Sequence, residues 1–385
     1  MPYITKYFLY SRVFVKNLIY AIKEIKIYKI LIFKKILRFS IFSLTIVAII
    51  YSIYWLIQAN LLEEKFRKFS NGIGDRNISI SFENINITGF PFSFSANLTN
   101  PILIFGVTQG PNDNRKYLKL RNNLISVQIY PWNYSSYIIK FGKEYKFDFY
   151  NSIQQFSFRG VTEKFNISLI FDRKFDAFEL DFDIAQFKLQ TENLVTLFSA
   201  KNLMLSLSKP IKLPLPNAND EIKSNYKLVI RSEGSTLAKI FKLPVSKMVK
   251  LIFVKIKIFG NLNIPVNLEN LKSWLKDGGI IEVEDFGIID TVFESKLNGT
   301  VSLDENLQIL AAFVAEVEGL PFILQNLSDN SHISIDAANK LAFLLKLMSQ
   351  TSPNGTMKNR FSMTVQDRQL FIGLTPVIGL PLISW

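Results

Sequence analysis

The chain is 385 residues long, 48% hydrophobic and 20% charged, which excludes the composition of a disordered protein and leaves room for a sizeable core. Its formal charge of +13 is uneven: residues 1–38 carry Lys6, Arg12, Lys16, Lys23, Lys26, Lys29, Lys34, Lys35 and Arg38 against Glu24 alone, a net of +8, so only +5 falls on the rest. The remainder therefore lacks the basic stripe of a nucleic-acid partner, and with no cysteine the chain offers no disulfide, thiolate metal site or cysteine nucleophile.

After the basic segment 1–38 comes Phe39 to Ile57, without a charge or a proline. That is close to the roughly 20 residues that a helix needs to cross a bilayer. Lys34, Lys35 and Arg38 stand before it, and Gln58, Asn60, Glu63 and Glu64 after it. The bias predicts a single-pass anchor at 39–57 with a cytoplasmic N-terminus. Tyr51, Tyr54 and Trp55 suit the far interface, and a cleaved signal peptide would have a shorter apolar region with a small-residue cleavage site. Residues 1–30 read either as a basic amphipathic surface helix or as an over-long start of the reading frame. Residues 58–72 read as an exit helix and linker, with Leu62, Phe66 and Phe69 on one face and Asn71-Gly72 as the stop.

From residue 73 the period is two. Ile78/Ile80/Phe82, Phe90/Phe92/Phe94/Ala96/Leu98, Ile125/Val127/Ile129, Phe147/Phe149, Phe156/Phe158, Ile167/Leu169 and Phe178/Leu180/Phe182/Ile184 alternate with mostly polar residues. Leu203/Leu205/Leu207, Leu228/Ile230, Val254/Ile256/Ile258 and Leu262/Ile264 continue the series, with turns at Asn100-Pro101, Lys209-Pro210, Pro214 to Asn219 and Gly260-Asn261. Such alternation predicts half-buried antiparallel strands with one apolar face. The segment Leu118 to Pro131 (LKLRNNLISVQIYP) echoes Leu197 to Pro210 (LFSAKNLMLSLSKP).

The last third mixes helices with strands. Asn267 caps a helix carrying Leu268, Leu271, Trp274 and Leu275 and ending at Gly278-Gly279; Ser334 or Asp336 caps another, to Gln350, with Ala337, Leu341, Leu344, Leu345 and Met348 inward. A third helical run, Leu237/Ile240/Phe241/Val245/Val249, is interrupted by Pro244. Strands are expected at Val301/Leu303, Ile309 to Val317, Phe361/Met363/Val365 and Leu370/Ile372. The predicted class is α+β, predominantly antiparallel β. A large curved or twisted sheet follows the spanning helix, and a few helices in the C-terminal third cover it. Its β-rich domain at 73–385 has a candidate subdomain boundary near 211–224.

Gly89-Phe90-Pro91-Phe92-Ser93-Phe94, running to Leu98-Thr99-Asn100-Pro101, resembles the signature of an alphaproteobacterial envelope family catalogued as domain of unknown function 2125. Trp274 with Gly278-Gly279, Leu297 to Asp304, and Asp367 to Gly373 followed by Pro376 to Pro381 are similar in order and spacing, over about residues 55 to 385. The loop Gln366-Asp367-Arg368-Gln369 departs from the family's Asp-Gly. The resemblance implies a bacterial inner-membrane anchor with the bulk of the chain in the periplasm. It also implies a β-rich fold akin to AsmA-like proteins, which resemble lipid-conducting grooves.

No nucleotide, zincin or hydrolase motif is present. The one histidine, His332, lies before a helix and reads as a surface or cap residue; Glu179, Asp181 and Asp183 read as a solvated sheet face rather than an acid/base pair. Neither Asp172 nor Glu163 gains a partner. The expectation is a non-enzyme without cofactor, metal or assigned ligand residues. It binds or passes lipid along an apolar sheet face in envelope maintenance, or acts as an envelope scaffold with a closed core and protein partners. A surface-tethered hydrolase built around His332 is the third reading. In the Gly89 to Phe94 stretch, Gly89 and Pro91 are expected to shape the strand start while Phe90, Phe92 and Phe94 fill the core.

Overall fold

The computed structural model describes residues 3–70, 78–106, 117–150, 155–172, 174, 176–210, 225–238, 240, 246–260, 262, 268–331, 333–347, 349–351 and 357–383. They divide into two compact units, Met1–Leu62 and Glu63–Trp385.

Helix α1 (Tyr3–Lys68) runs without interruption through the first unit and into the second. No Gly or Pro stands between Phe39 and Lys68, so the expected exit helix is simply the continuation of the apolar helix. Its last turns are tied by Arg67–Glu63 (2.8 Å) and Lys68–Glu64 (2.6 Å) pairs. Within the apolar stretch the Thr45 hydroxyl donates to the Ile41 carbonyl (2.9 Å) and that of Ser52 to Ala48 (2.7 Å), so neither needs water. Asn71-Gly72 lies outside the described residues.

The second unit is one open antiparallel sheet. The chain enters as β1 (Ile78–Ser81), β2 (Asn84–Thr88), β3 (Phe94–Thr99), β4 (Ile102–Phe105), β5 (Tyr117–Asn122), β6 (Leu124–Tyr130), β7 (Asn133–Phe141), β8 (Glu144–Tyr150), β9 (Gln155–Val161) and β10 (Lys164–Asp172). These form two half-sheets, β1-β4-β5-β8-β9 and β2-β3-β6-β7-β10. Each strand of one continues in sequence into a strand of the other, so each pass is a long strand bent at a corner. Both half-sheets end on β11 (Ala177–Thr191), whose first residues pair with β10 and whose last pair with β9. From there each strand pairs with the next: β12 (Thr196–Lys209), β13 (Tyr226–Leu237), β14 (Val249–Phe259), β15 (Ile280–Ile289), β16 (Glu294–Leu303) and β17 (Ile309–Glu318). The sheet finishes with β18 (Ser349–Thr351), β19 (Met357–Gln366), β20 (Gln369–Ile372) and β21 (Thr375–Gly379).

The corners line up. Asn100, Asn123, Gly142, Thr162 and Gln186 sit where neighbouring strands bend, and side chains take over the hydrogen bonds that the ladder drops there. Asn122 Oδ1 accepts from the amides of Leu124 (2.9 Å) and Gly142 (3.0 Å) while its Nδ2 donates to the Glu144 carbonyl (2.8 Å). A Cβ on Gly142 would lie 1.9 Å from Asn123 Oδ1. The echo between 118–131 and 197–210 reflects this line: aligned on their prolines, Asn123 matches Asn202, two strands meeting the same corner.

Half-sheets and helix share a core of Ile80, Ile85, Ala96, Leu98 and Ile125 with Phe66 of α1. In the first half-sheet Asp148, fully buried, receives the Arg121 guanidinium and the Ser157 hydroxyl (2.7 Å). Removing the cation strands a buried carboxylate. Arg121→Ala is expected to lose about 3 kcal/mol in urea denaturation, whereas Lys146→Ala, which breaks only the exposed 3.4 Å pair with Glu192, should stay within about 0.5 kcal/mol.

Four expectations need correcting. Phe90 and Phe92 do not fill the core: β3 starts at Phe94, and the two rings stand 55% and 71% exposed on the loop before it, where Gly89 adopts φ +103. The helical run expected from Leu237 to Val249 is not helical at its ends, where Leu237 closes β13 and Val249 opens β14; residues 239 and 241–245 lie outside the described residues. Helix α4 (Ile335–Leu347) stops before Gln350, which enters β18; the Ser334 hydroxyl caps it through the Ala337 amide (3.1 Å). A helix absent from the sequence reading, α3 (Leu320–Asp329), follows β17, with Pro321 in its first turn. The stretch 211–224 lies outside the described residues, but its flanking strands β12 and β13 are paired neighbours within one unit.

At Asp367 and Arg368, between β19 and β20, φ is +50 and +60, a tight turn whose second position would suit glycine. Arg368 compensates by binding the Leu380 carbonyl (3.3 Å) and accepting the Leu380 amide (2.7 Å).

Candidate functional site

Residues directly opposite in an antiparallel pair lie on one face, so the strand register gives the composition of each face. One row runs Ile87, Ala96, Val127, Ile139, Ile167, Phe182, Leu205, Ile230, Val254, Phe286, Leu297, Ala315 and Phe361 across the sheet, apolar at every strand. A parallel row follows Phe94, Ile129, Tyr137, Leu169, Leu180, Leu207, Leu228, Ile256 and Val283. The bulge at Glu284 and Asp285 keeps both rows on one face, since Val283 and Phe286 stand three residues apart yet oppose Ile256 and Val254.

The intervening rows are mostly polar. Asn166, Asp183, Met204, Arg231 and Phe253 form one, and Ser168, Asp181, Ser206, Val229 and Lys255 the next. Ion pairs cross this face: Lys164–Asp183, Lys255–Glu284 (2.8 Å), Lys296–Asp285 (3.5 Å) and Lys358–Glu316 (2.8 Å). Hydrogen bonds from Lys255 and Lys257 hold the Glu284 carboxyl below its ordinary pKa. Glu179, Asp181 and Asp183 thus share a face, as the sequence suggests, and Asp183 pairs there with Lys164. His332 lies outside the described residues.

Among the described residues the apolar face is covered at both ends and not between. At one end Ala96, Leu98 and Ile125 are buried by the other half-sheet and Phe66. At the other, Ala315, Val317 and Phe361 are buried beneath Leu320 and Leu324 of α3 and Leu341 of α4. Along the middle, Ile167, Phe182, Leu205, Ile230, Val254, Leu180, Leu207, Leu228 and Ile256 are all only half-buried among the described residues. A sheet sealed by a second layer would bury these rows as deeply as its ends.

Beneath α3 and α4 the face runs into a cavity of about 810 Å³, lined by Lys250, Phe293, Leu320, Leu324, Lys346 and Asn359 among others. Lys250 alternates with Ile252 and Val254, so it stands on the apolar face at its end. Asp290 in the cavity wall is buried, which would raise its pKa. Hydrogen bonds from the Ser246 amide (2.7 Å) and hydroxyl and from Thr291 outweigh this and keep it below its ordinary value. It is a structural carboxylate, unsuited to donate a proton near neutrality. A second hollow, of about 530 Å³, lies by Asn100, Arg121 and Glu144 and is walled by charged pairs.

A family model described as an uncharacterized protein conserved in bacteria, DUF2125, matches residues 55–381. The chain belongs to the DUF2125 family. The match takes in the end of the apolar part of α1 and nearly the whole described sheet, including the Gly89 to Phe94 loop and Trp274. No curated protein matches the chain. DUF2125 carries no activity in its description, so the chemistry rests on the face itself. Within α1, Lys34–Lys68 contains a segment long and apolar enough to cross a membrane, with none of it buried.

Proposed function

We propose that this DUF2125 protein is a bacterial inner-membrane-anchored periplasmic protein that holds or passes the acyl chains of lipids along the apolar face of its sheet. The observation that carries the reading is the register: an apolar row unbroken from Ile87 to Phe361, half-buried in its middle, with the ion pairs Lys164–Asp183, Lys255–Glu284 and Lys358–Glu316 on the opposite face. An apolar surface of that extent needs a cover. Acyl chains fit it because they demand apolar contact along a line and no fixed hydrogen bonds. The basic segment before the apolar part of α1 supports a cytoplasmic N-terminus and a periplasmic sheet. The role is envelope maintenance, and neither catalysis nor a cofactor enters it.

Photo-crosslinking in living cells tests this. A benzophenone amino acid at Ile230 is expected to capture lipid, detected by mass spectrometry as an acyl-bearing adduct, and one at the adjacent Val229 on the polar face is not. Protein adducts at Ile230 without lipid would replace the reading with that of an envelope scaffold. A reporter enzyme fused after Trp385 should be active only outside the cytosol.

A further inference from the structure

The loop before β3 and the turn between β6 and β7 are neighbours, because Phe94 pairs with Ile129 and Tyr130 with Asn133. Four large aromatic side chains project there: Phe90 is 55% exposed, Phe92 71%, Trp132 68% and Tyr134 50%. This is a built feature rather than a slack loop. The Ser93 amide donates to the Gly89 carbonyl at 2.9 Å, and a Cβ on Gly89, at φ +103, would lie 2.5 Å from Ser93 Oγ. The rings of Tyr130 and Trp132 stack with centroids 5.6 Å apart. Phe94 and Ile129, which open the second apolar row, adjoin this edge, so it is continuous with the apolar face.

We infer that this aromatic edge inserts into the interfacial layer of the same bilayer that holds α1, and is where acyl chains move between bilayer and sheet. The inference rests on the lipid reading above. Three observations choose a bilayer as the occupant. The chain itself brings one close: residues 58–68 continue the apolar segment as helix, about 1.5 Å per residue, so the sheet is tethered within tens of ångströms. Trp and Tyr rings settle at a membrane interface, where an apolar body and a polar tip are both satisfied, and Phe rings beside them add apolar contact with the acyl boundary. The edge also adjoins the buried Phe94 and Ile129, which open the row whose half-buried middle acyl chains would occupy, a continuity that a protein partner would not require.

The absence of cysteine allows single spin labels on the full chain. Phe92→Cys, Trp132→Cys, Ala48→Cys within α1, and Leu374→Cys at the distant β20–β21 turn, 98% exposed, would be labelled in nanodiscs of phosphatidylethanolamine and phosphatidylglycerol. Labels at 92 and 132 are expected to be relaxed by oxygen in preference to a water-soluble nickel complex, as at 48, while 374 shows the reverse. If 92 and 132 behave like 374 while 48 reports lipid, the inference is overturned; a crosslinked lipid at Ile230 in that case would leave the lipid reading standing. Phe92→Asp with Trp132→Asp is expected to slow uptake of a fluorescent phospholipid from vesicles about tenfold, and an unchanged rate would overturn the loading role even if the labels sit in lipid.

Discussion

Leu205→Glu is expected to strip lipid from the purified full-length protein by at least about tenfold, roughly 1.4 kcal/mol of affinity, while leaving the fold intact. Leu205 sits in the central apolar row between Phe182 and Ile230, half-buried, where an incoming carboxylate can still reach water as long as no lipid covers it. Lipid would have to bury that charge or leave. Ser206→Lys, one residue on and on the opposite face beside Asp181, should change neither quantity. The pair separates two physical pictures. In a closed core Leu205→Glu would cost several kcal/mol of folding stability and lower the urea midpoint sharply. In an open face the folding stability changes by less than about 1 kcal/mol and the loss appears in lipid content by mass spectrometry.

The contrast between those neighbours was visible in the alternation of Leu203, Leu205 and Leu207 with polar or exposed residues, and so were most of the strands. Sequence could not show that the same face recurs across the whole sheet, because that depends on register, and register depends on corners and bulges spaced along each strand. At β15 the bulge at Glu284 and Asp285 hides the alternation, placing Val283 and Phe286 on one face at an odd spacing, so Ile280 to Ile289 did not read as a strand. Helix α3 was hidden by Pro321: a proline reads as a break, yet in a first helical turn it has no hydrogen bond to lose. Phe90 and Phe92 continue the period of β3 in sequence but not in space, since the turn at Gly89 diverts the backbone before Phe94. The open middle of the face was the least legible feature. Whether a half-apolar strand is covered depends on elements distant in the chain, here Phe66 at one end and Leu341 at the other.

Trp274→Ala is expected to destabilise the sheet domain by about 4 kcal/mol, the largest single-site loss among these variants, read as a lowered urea midpoint by far-ultraviolet circular dichroism. Trp274 lies in α2 (Leu268–Lys276), 2% exposed, packed with Leu271 and Leu307 against Ile258 and Ile281. Its indole N–H donates to the Phe259 carbonyl at 2.7 Å, so truncation removes both a large packed surface and a hydrogen bond at the end of β14. Trp274→Phe keeps much of the packing but loses the donor and should cost about half as much. The turn after α2 is shaped to the ring: a Cβ on Gly279 would fall 2.2 Å from the indole, so Gly279→Ala should cost about 2 kcal/mol by overpacking. Because the methyl and the indole compete for one space, Gly279→Ala combined with Trp274→Phe should cost less than the sum of the two. Additive losses would mean that the glycine serves the backbone alone, and that α2 is held on the sheet edge by something other than this ring.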